Sequence, residues 1–240
     1  MSEFKIIIIG SIAGIIGTGL GGASTFFLKS PSKKFLSIIL GITSGLMISI
    51  VTFDMLPHAF EESGLITGVI GVIFGGIFVA LIDGFITGKN ISSNRYLKGG
   101  LILGIAIAMH NFPEGLAIGS GFMSSKSLGL SIAIVIALHD FPEGLSMATP
   151  LLIGGVSPGR NTLYAVLAGL PTALGTIAGV ITGGISSYFI SLNLGIAGGA
   201  MLYVTCGEII PQTREIYKGR ISILAMILGI IGGIIISKYI

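Results

Sequence analysis

Long apolar runs, broken only by short polar stretches, dominate the chain. A helix needs roughly 20 mostly apolar residues to cross a bilayer, and eight runs meet that requirement. The pattern predicts helices over roughly 5–27, 35–57, 65–87, 97–121, 128–151, 162–185, 188–212 and 220–239. The breaks carry charge, proline and small polar residues: Lys29-Ser30-Pro31-Ser32-Lys33-Lys34, Lys89-Asn90, Ser124-Ser125-Lys126, Ser157-Pro158-Gly159-Arg160, and Arg214 to Arg220. The first run is too long for a signal-peptide core and has no convincing cleavage site, so it is expected to stay as a span. No loop is long enough to form a soluble domain. The expected fold class is an all-α polytopic membrane protein of eight transmembrane helices, in a single transmembrane domain over 1–240.

Composition narrows the function classes. Only 10% of the 240 residues are charged, 39 are glycine, and the mean hydropathy is +1.00. A soluble domain is typically about 25% charged, so a cytosolic enzyme is excluded. Disorder is excluded too, because it needs low hydrophobicity and high charge. The net charge of +3 comes from scattered basic residues, which leave no footprint for nucleic acid. Cys206 is the one cysteine, so neither an intrachain disulfide nor a cysteine zinc cluster can form. With the N-terminus outside, the inner loops hold Lys29, Lys33, Lys34, Lys89, Arg95, Lys98, Arg160, Arg214, Lys218 and Arg220, against Lys5, Lys126 and Lys238 outside. The excess of inner Lys and Arg predicts a multi-pass protein of the cell membrane with both termini outside.

Chemistry concentrates in the two central helices. Helix 4 carries His110-Asn111-Phe112-Pro113-Glu114-Gly115, and helix 5 carries His139-Asp140-Phe141-Pro142-Glu143-Gly144. The blocks lie 29 residues apart and match at five of six positions. Ionisable residues at such depth cost about 2.5–3.5 kcal/mol on insertion scales and mark function by default. His and Glu at i and i+4 share one helical face. Two such faces opposed supply two imidazoles and two carboxylates, a fitting ligand set for a divalent transition metal. Asn111 and Asp140, one residue on, could share Glu114 and Glu143 with a second ion. Each proline removes an amide donor, freeing the carbonyls of Met109 and Leu138 four residues earlier. A lone buried His or Glu could be a structural hydrogen bond between helices; two matched blocks argue against that reading.

A second match has a fixed offset of 154. Gly41-Ile42, Gly45, Met47, Asp54, Pro57 and Glu61 of helix 2 correspond to Gly195-Ile196, Gly199, Met201, Glu208, Pro211 and Glu215 of helix 7. Helices 2 and 7 cross in opposite senses, so the chain reads as a 3+2+3 inverted repeat: 1–90, a central pair 91–155 with the metal motifs, and 156–240. Inverted repeats flanking a midplane site recur in transporters. On this topology Met47 lies near the midplane, with Asp54 in the outer half and Glu208 in the inner half of a cation pathway. Asp83, Glu61 and Glu62 read as solvated helix ends, His58 as a weak outer ligand or an exposed residue, and Cys206 as a small buried hydrophobe.

With these residues the chain resembles the Zrt-, Irt-like protein (ZIP) family of divalent metal transporters, particularly the compact bacterial ZupT type. The paired blocks at 110–115 and 139–144 carry the resemblance, which extends over essentially the whole chain. It implies transport of zinc, and often iron, manganese, cobalt or cadmium, toward the cytoplasm, with the metal as substrate and no cofactor. It implies a binuclear site: His110, Glu114, His139 and Glu143 for one ion, with Met47 nearby, and Asn111, Asp140 and the bridging Glu114 and Glu143 for the other. Glu208 matches an acid on the exit side. The partners implied are the cations and the lipid bilayer, and a homodimer is compatible with this reading. Two departures stand out. Leu170-Pro171-Thr172-Ala173 replaces a carboxylate that many relatives place in helix 6, which implies a weaker or absent second site. The stretch from Lys89 to Tyr96 has no histidine, against metal sensing by that loop.

Two other classes compete. A membrane metalloenzyme with a di-metal centre is disfavoured, because helical di-iron proteins use Glu-x-x-His and this chain has His-x-x-x-Glu, with no His-Glu-x-x-His for a zinc protease. A proton-coupled carrier of an organic solute could use the same carboxylates, but two clustered histidines argue against it.

Overall fold

The computed structural model describes residues 1–27, 31–87 and 94–239, and every element among them is helical. Among the described residues, eight helices are long and apolar enough to span a membrane: α1 (Glu3–Phe26), α2 (Lys33–Ser63), α3 (Leu65–Thr87), α4 (Arg95–Ser124), α5 (Lys126–Ile153), α6 (Pro158–Gly183), α7 (Ser187–Ile216) and α8 (Ile221–Tyr239). The protein is thus a multi-pass membrane protein. Of the polar breaks, Lys29-Ser30 and Lys89-Asn90 lie outside the described residues.

The helices begin where side chains can satisfy their first amides. The Ser32 hydroxyl accepts from Phe35 N at 3.2 Å, and Asn94 Oδ1 accepts from Tyr96 N and Leu97 N. Ser125 alone joins α4 to α5: its amide donates to Gly121 O while its hydroxyl accepts from Leu128 N at 3.1 Å. So tight a link forces α4 and α5 side by side and antiparallel, with their motif blocks at matching depth. Gly64, at φ +85°, makes the equally abrupt link from α2 to α3 because it carries no Cβ.

Helices α2 and α7 run past their predicted ends at 57 and 212. Each contains a π-helical turn, Val51–Met55 and Thr205–Ile209, and then resumes as α-helix through its proline. The reason is local. Pro57 and Pro211 lack the N–H that a continuous ladder needs, and the widened turn just before each has already broken that ladder. The two π-turns are 154 residues apart and enclose Asp54 and Glu208 at the same position.

The repeat extends to backbone contacts. A Cβ on Gly41 or Gly45 of α2 would strike the carbonyl of Ser222 or Met226 on α8. A Cβ on Gly195 or Gly199 of α7 would strike that of Gly68 or Val72 on α3. Every one of these numbers is related to its counterpart by 154. In the central pair the offset is 29: Gly115 of α4 lies on the Thr172 carbonyl of α6, and Gly144 of α5 lies on the Thr18 carbonyl of α1. Small residues at such crossings let helix backbones touch, as membrane bundles require. The packing obeys the same exchange. Helix α8 packs on α2 as α3 packs on α7, α6 on α4 as α1 on α5, and α7 on α4 as α2 on α5. The least enclosed spans are α3 and α8, and α5 is the most enclosed.

Candidate metal centre

The α4–α5 hairpin aims its two motif blocks at each other. His110 Nε2 lies 2.9 Å from Glu143 Oε2, and His139 Nε2 lies 2.9 Å from Glu114 Oε1. Each histidine thus meets the glutamate of the other helix. Asp140 Oδ1 is 3.4 Å from the same His139 nitrogen. His110, Asn111, Glu114, His139, Asp140 and Glu143 are all buried.

Among the described residues, two groups have ligand atoms all within 4.8 Å of one another: His110, Glu114 and Glu143, and Glu114, His139 and Asp140. Glu114 belongs to both. The second group takes its histidine from α5 together with that helix's aspartate, so the two imidazoles fall in different groups.

His139 Nδ1 donates to Val135 O at 3.0 Å, since a carbonyl can only accept. The other ring nitrogen of a neutral His139 therefore presents a lone pair to two carboxylate oxygens. Asn111 is fixed by its amide, which donates to Ala168 O at 2.8 Å, leaving Oδ1 without a partner. Glu114 Oε2, Glu143 Oε1 and both Asp140 oxygens also lack hydrogen-bond partners among the described residues. Buried carboxylates without partners are costly unless a cation compensates them. Thr172, in the stretch of α6 that carries no acid, has a buried hydroxyl with no partner among the described residues and lies against Gly14.

Met47 is buried outside the two groups, and the Thr205 hydroxyl lies 3.4 Å from its sulfur and 2.7 Å from Met201 O. Asp54 is also buried: Ser237 Oγ donates to its Oδ1 at 2.6 Å, and Oδ2 has no partner. Glu208 is half-buried and lines a cavity of about 440 Å³ among the ends of α2, α3, α4, α5 and α7. A narrow cleft bounded by Asp83, Met109, His110 and Glu208 leads from this vestibule toward the first group.

Two residues differ from their sequence reading. Asp83 is not a solvated end; it is half-buried in the vestibule wall, where Tyr203 OH donates to its Oδ2 at 3.3 Å. The available signal was its offset of 154 from Ser237, the partner of Asp54. Cys206 is exposed rather than buried, because the π-turn adds a residue and rotates it off the packed face of α7.

A family model described as "ZIP Zinc transporter" matches residues 87–237. A zinc transporter ZupT of Clostridium perfringens is 30% identical, covering 90% of this chain and 89% of its own length. The chain belongs to the ZIP family. Other ZIP relatives have similar reach. A ZupT of Chlorobium limicola is 33% identical over 89% of this chain and 90% of its own, and the zinc transporter ZTP29 of Arabidopsis thaliana is 34% identical over 88% and 85%. This is a family of transporters rather than of enzymes, so the membrane metalloenzyme alternative lapses.

Proposed function

We propose that this ZIP chain carries divalent transition-metal cations, zinc foremost, through the α4–α5 cluster and releases them toward the cytoplasm. The observation that carries the reading is the pair of buried groups that share Glu114, whose ligand atoms lie within 4.8 Å of one another and whose carboxylates keep unpartnered oxygens. Two imidazoles among carboxylates suit a borderline-soft divalent metal better than magnesium or calcium, which favour all-oxygen shells. The transported cation is held first by Glu114 with His110 and Glu143, or by Glu114 with His139 and Asp140. Asn111 offers its oxygen from the adjoining turn, and Met47 flanks the site. The division into 1–90, 91–155 and 156–240 is our reading of the repeat around this site.

Orientation follows from charge. The vestibule opens at the ends of the helices that adjoin Lys33, Lys34, Lys98, Arg160, Arg214, Lys218 and Arg220. That basic side is the cytoplasmic one under the positive-inside rule, which puts both termini outside. The cavity is then the release route, with Glu208 and Asp83 as its acids. Purified protein in liposomes loaded with zinc and proton indicators tests the reading. Zinc influx that depends on protein and saturates supports it, and a proton-coupled flux of organic solute without metal flux overturns it.

Acid is expected to slow uptake. The ligating forms are neutral imidazole and ionised carboxylate, so protons compete with metal. Initial zinc flux, with free zinc held constant, should fall as the pH is lowered. A flat profile would count against ligation by His110 and His139.

Asp54 and Glu208 are expected to act on transit. Asp54→Asn weakens cation attraction at the outer mouth and should raise the half-saturating zinc concentration. Glu208→Gln should lower the maximal rate by slowing release. Uptake against zinc concentration separates the two. Loss of equilibrium binding at the central site in Asp54→Asn would refute this assignment.

A further inference from the structure

Helices α4 and α6 touch closely over only part of their length. A Cβ on Gly115 or Gly119 of α4 would strike the carbonyl of Thr172 or Thr176 of α6. Toward the N-termini of both helices a separate cavity of about 250 Å³ lies between them. Ile105 and Ala108 of α4 form one wall, Tyr164 and Leu167 of α6 form the other, and the buried Met147 and Leu151 of α5 form the floor. Ile105, Tyr164 and Leu167 are exposed, so the cavity is a groove open to the bilayer. Apart from the Tyr164 hydroxyl its side chains are apolar.

Length and charge say what fills it. Along α4 the groove runs from Gly100 to Met109, about 14 Å at 1.5 Å per residue. The hydrocarbon layer of one leaflet is about 15 Å deep, half of a bilayer core. At the shallow end Arg160 stands one helical turn before Tyr164 and on the same face of α6. Arg160 is exposed, and among the described residues its guanidinium has no ion-pair partner. The chain has no Asp or Glu from Gly84 to Pro113 or from Gly144 to Gly207, so neither wall of the groove carries an acid to neutralise it. Tyr164, with an apolar ring and a polar tip, suits the boundary between chains and headgroups.

We infer that the α4–α5–α6 groove is a binding site for one anionic phospholipid, an acyl chain lying between Ile105 and Leu167 and the headgroup phosphate on Arg160. Basic residues at the membrane surface select anionic over zwitterionic headgroups, and an apolar groove one leaflet deep holds one chain along its length. The far end of that chain rests on Met109, which also bounds the cleft beside His110. The inference concerns the bilayer as ligand and holds whichever metal the central cluster carries.

The chain has no tryptophan, so one introduced indole reports on its own surroundings. Full-length Tyr164→Trp is reconstituted in phosphatidylcholine bilayers with a rising fraction of phosphatidylglycerol brominated on its acyl chains. Leu228→Trp, exposed on α8 at a similar distance from that helix's N-terminus, reports on bulk lipid. Quenching at Tyr164→Trp is expected to saturate at a low fraction of the brominated anionic lipid, while Leu228→Trp follows the bulk composition. Adding Arg160→Gln should raise the fraction needed for half-quenching about fivefold, the weight of one basic side chain near a membrane surface. Native mass spectrometry of the unsubstituted chain, which should retain one phosphatidylglycerol in preference to phosphatidylcholine, stands even if Tyr164→Trp fails to fold. The inference is overturned if both indoles are quenched alike, if brominated phosphatidylcholine quenches Tyr164→Trp as well as the anionic lipid does, if Arg160→Gln leaves the quenching curve unmoved, or if the unsubstituted chain retains neither lipid preferentially.

Discussion

Replacing Glu114 by glutamine is expected to reduce zinc uptake to the level of protein-free liposomes. Glu114 is the one side chain common to both ligand groups, so its loss leaves each with two ligands. Truncating one partner of a buried charge pair costs about 2–5 kcal/mol of binding free energy, and at about 1.4 kcal/mol per tenfold that is on the order of thirtyfold to a few thousandfold in affinity. The fold should survive. A glutamine amide can donate to the His139 ring nitrogen that now faces Glu114 Oε1 at 2.9 Å, so the metal-free variant should melt no lower than the parent. Asp140→Asn touches only the second group and should leave measurable uptake. Equilibrium zinc binding and initial flux, compared across the three proteins, check this ordering. Parent-like half-saturation in Glu114→Gln would refute the shared role.

Valine at Gly144 or Gly115 is expected to prevent recovery of folded protein. A Cβ at Gly144 would collide with the Thr18 carbonyl, and one at Gly115 with that of Thr172. Backbone cannot swing aside as a side chain can. Overpacking a close contact costs about 1–3 kcal/mol and more where nothing yields. The two substitutions should be equally damaging, since they strike images of one crossing. Gly84→Ala, with nothing near its Cβ position, should behave as the parent. Yield of monodisperse protein and thermal midpoint in detergent measure the effect. A large difference between the two valine variants would contradict the two-fold relation.

The spans were legible because bilayer thickness fixes a length and composition that few other structures require. The repeat was legible in α2 and α7, where Gly41, Gly45, Asp54 and Pro57 recur without a gap. Its extension to Gly68 and Val72, and to Ser222 and Met226, was not, because these residues take part through backbone carbonyls and need not match in type. The π-turns were hidden for a related reason. An acid before a proline is compatible with a helix end as well as with a widened turn that carries the helix on through the proline. At the metal cluster, i and i+4 spacing put His110 and Glu114 on one face but could not say which glutamate each histidine meets. That depends on the rotation of α4 against α5, which Gly115 and Gly144 set through contacts with α6 and α1. Asp83 was misread because its importance comes from the cavity around it, not from its neighbours in sequence.

Zinc anomalous scattering from crystals of the metal-loaded protein tests the central claim most directly, since it locates the ion without a functional assay. The account predicts a peak at coordination distance, about 2.0–2.2 Å, from Glu114 together with His110 and Glu143 or with His139 and Asp140. Zinc bound elsewhere, with the α4–α5 cluster empty at saturating metal, would contradict it.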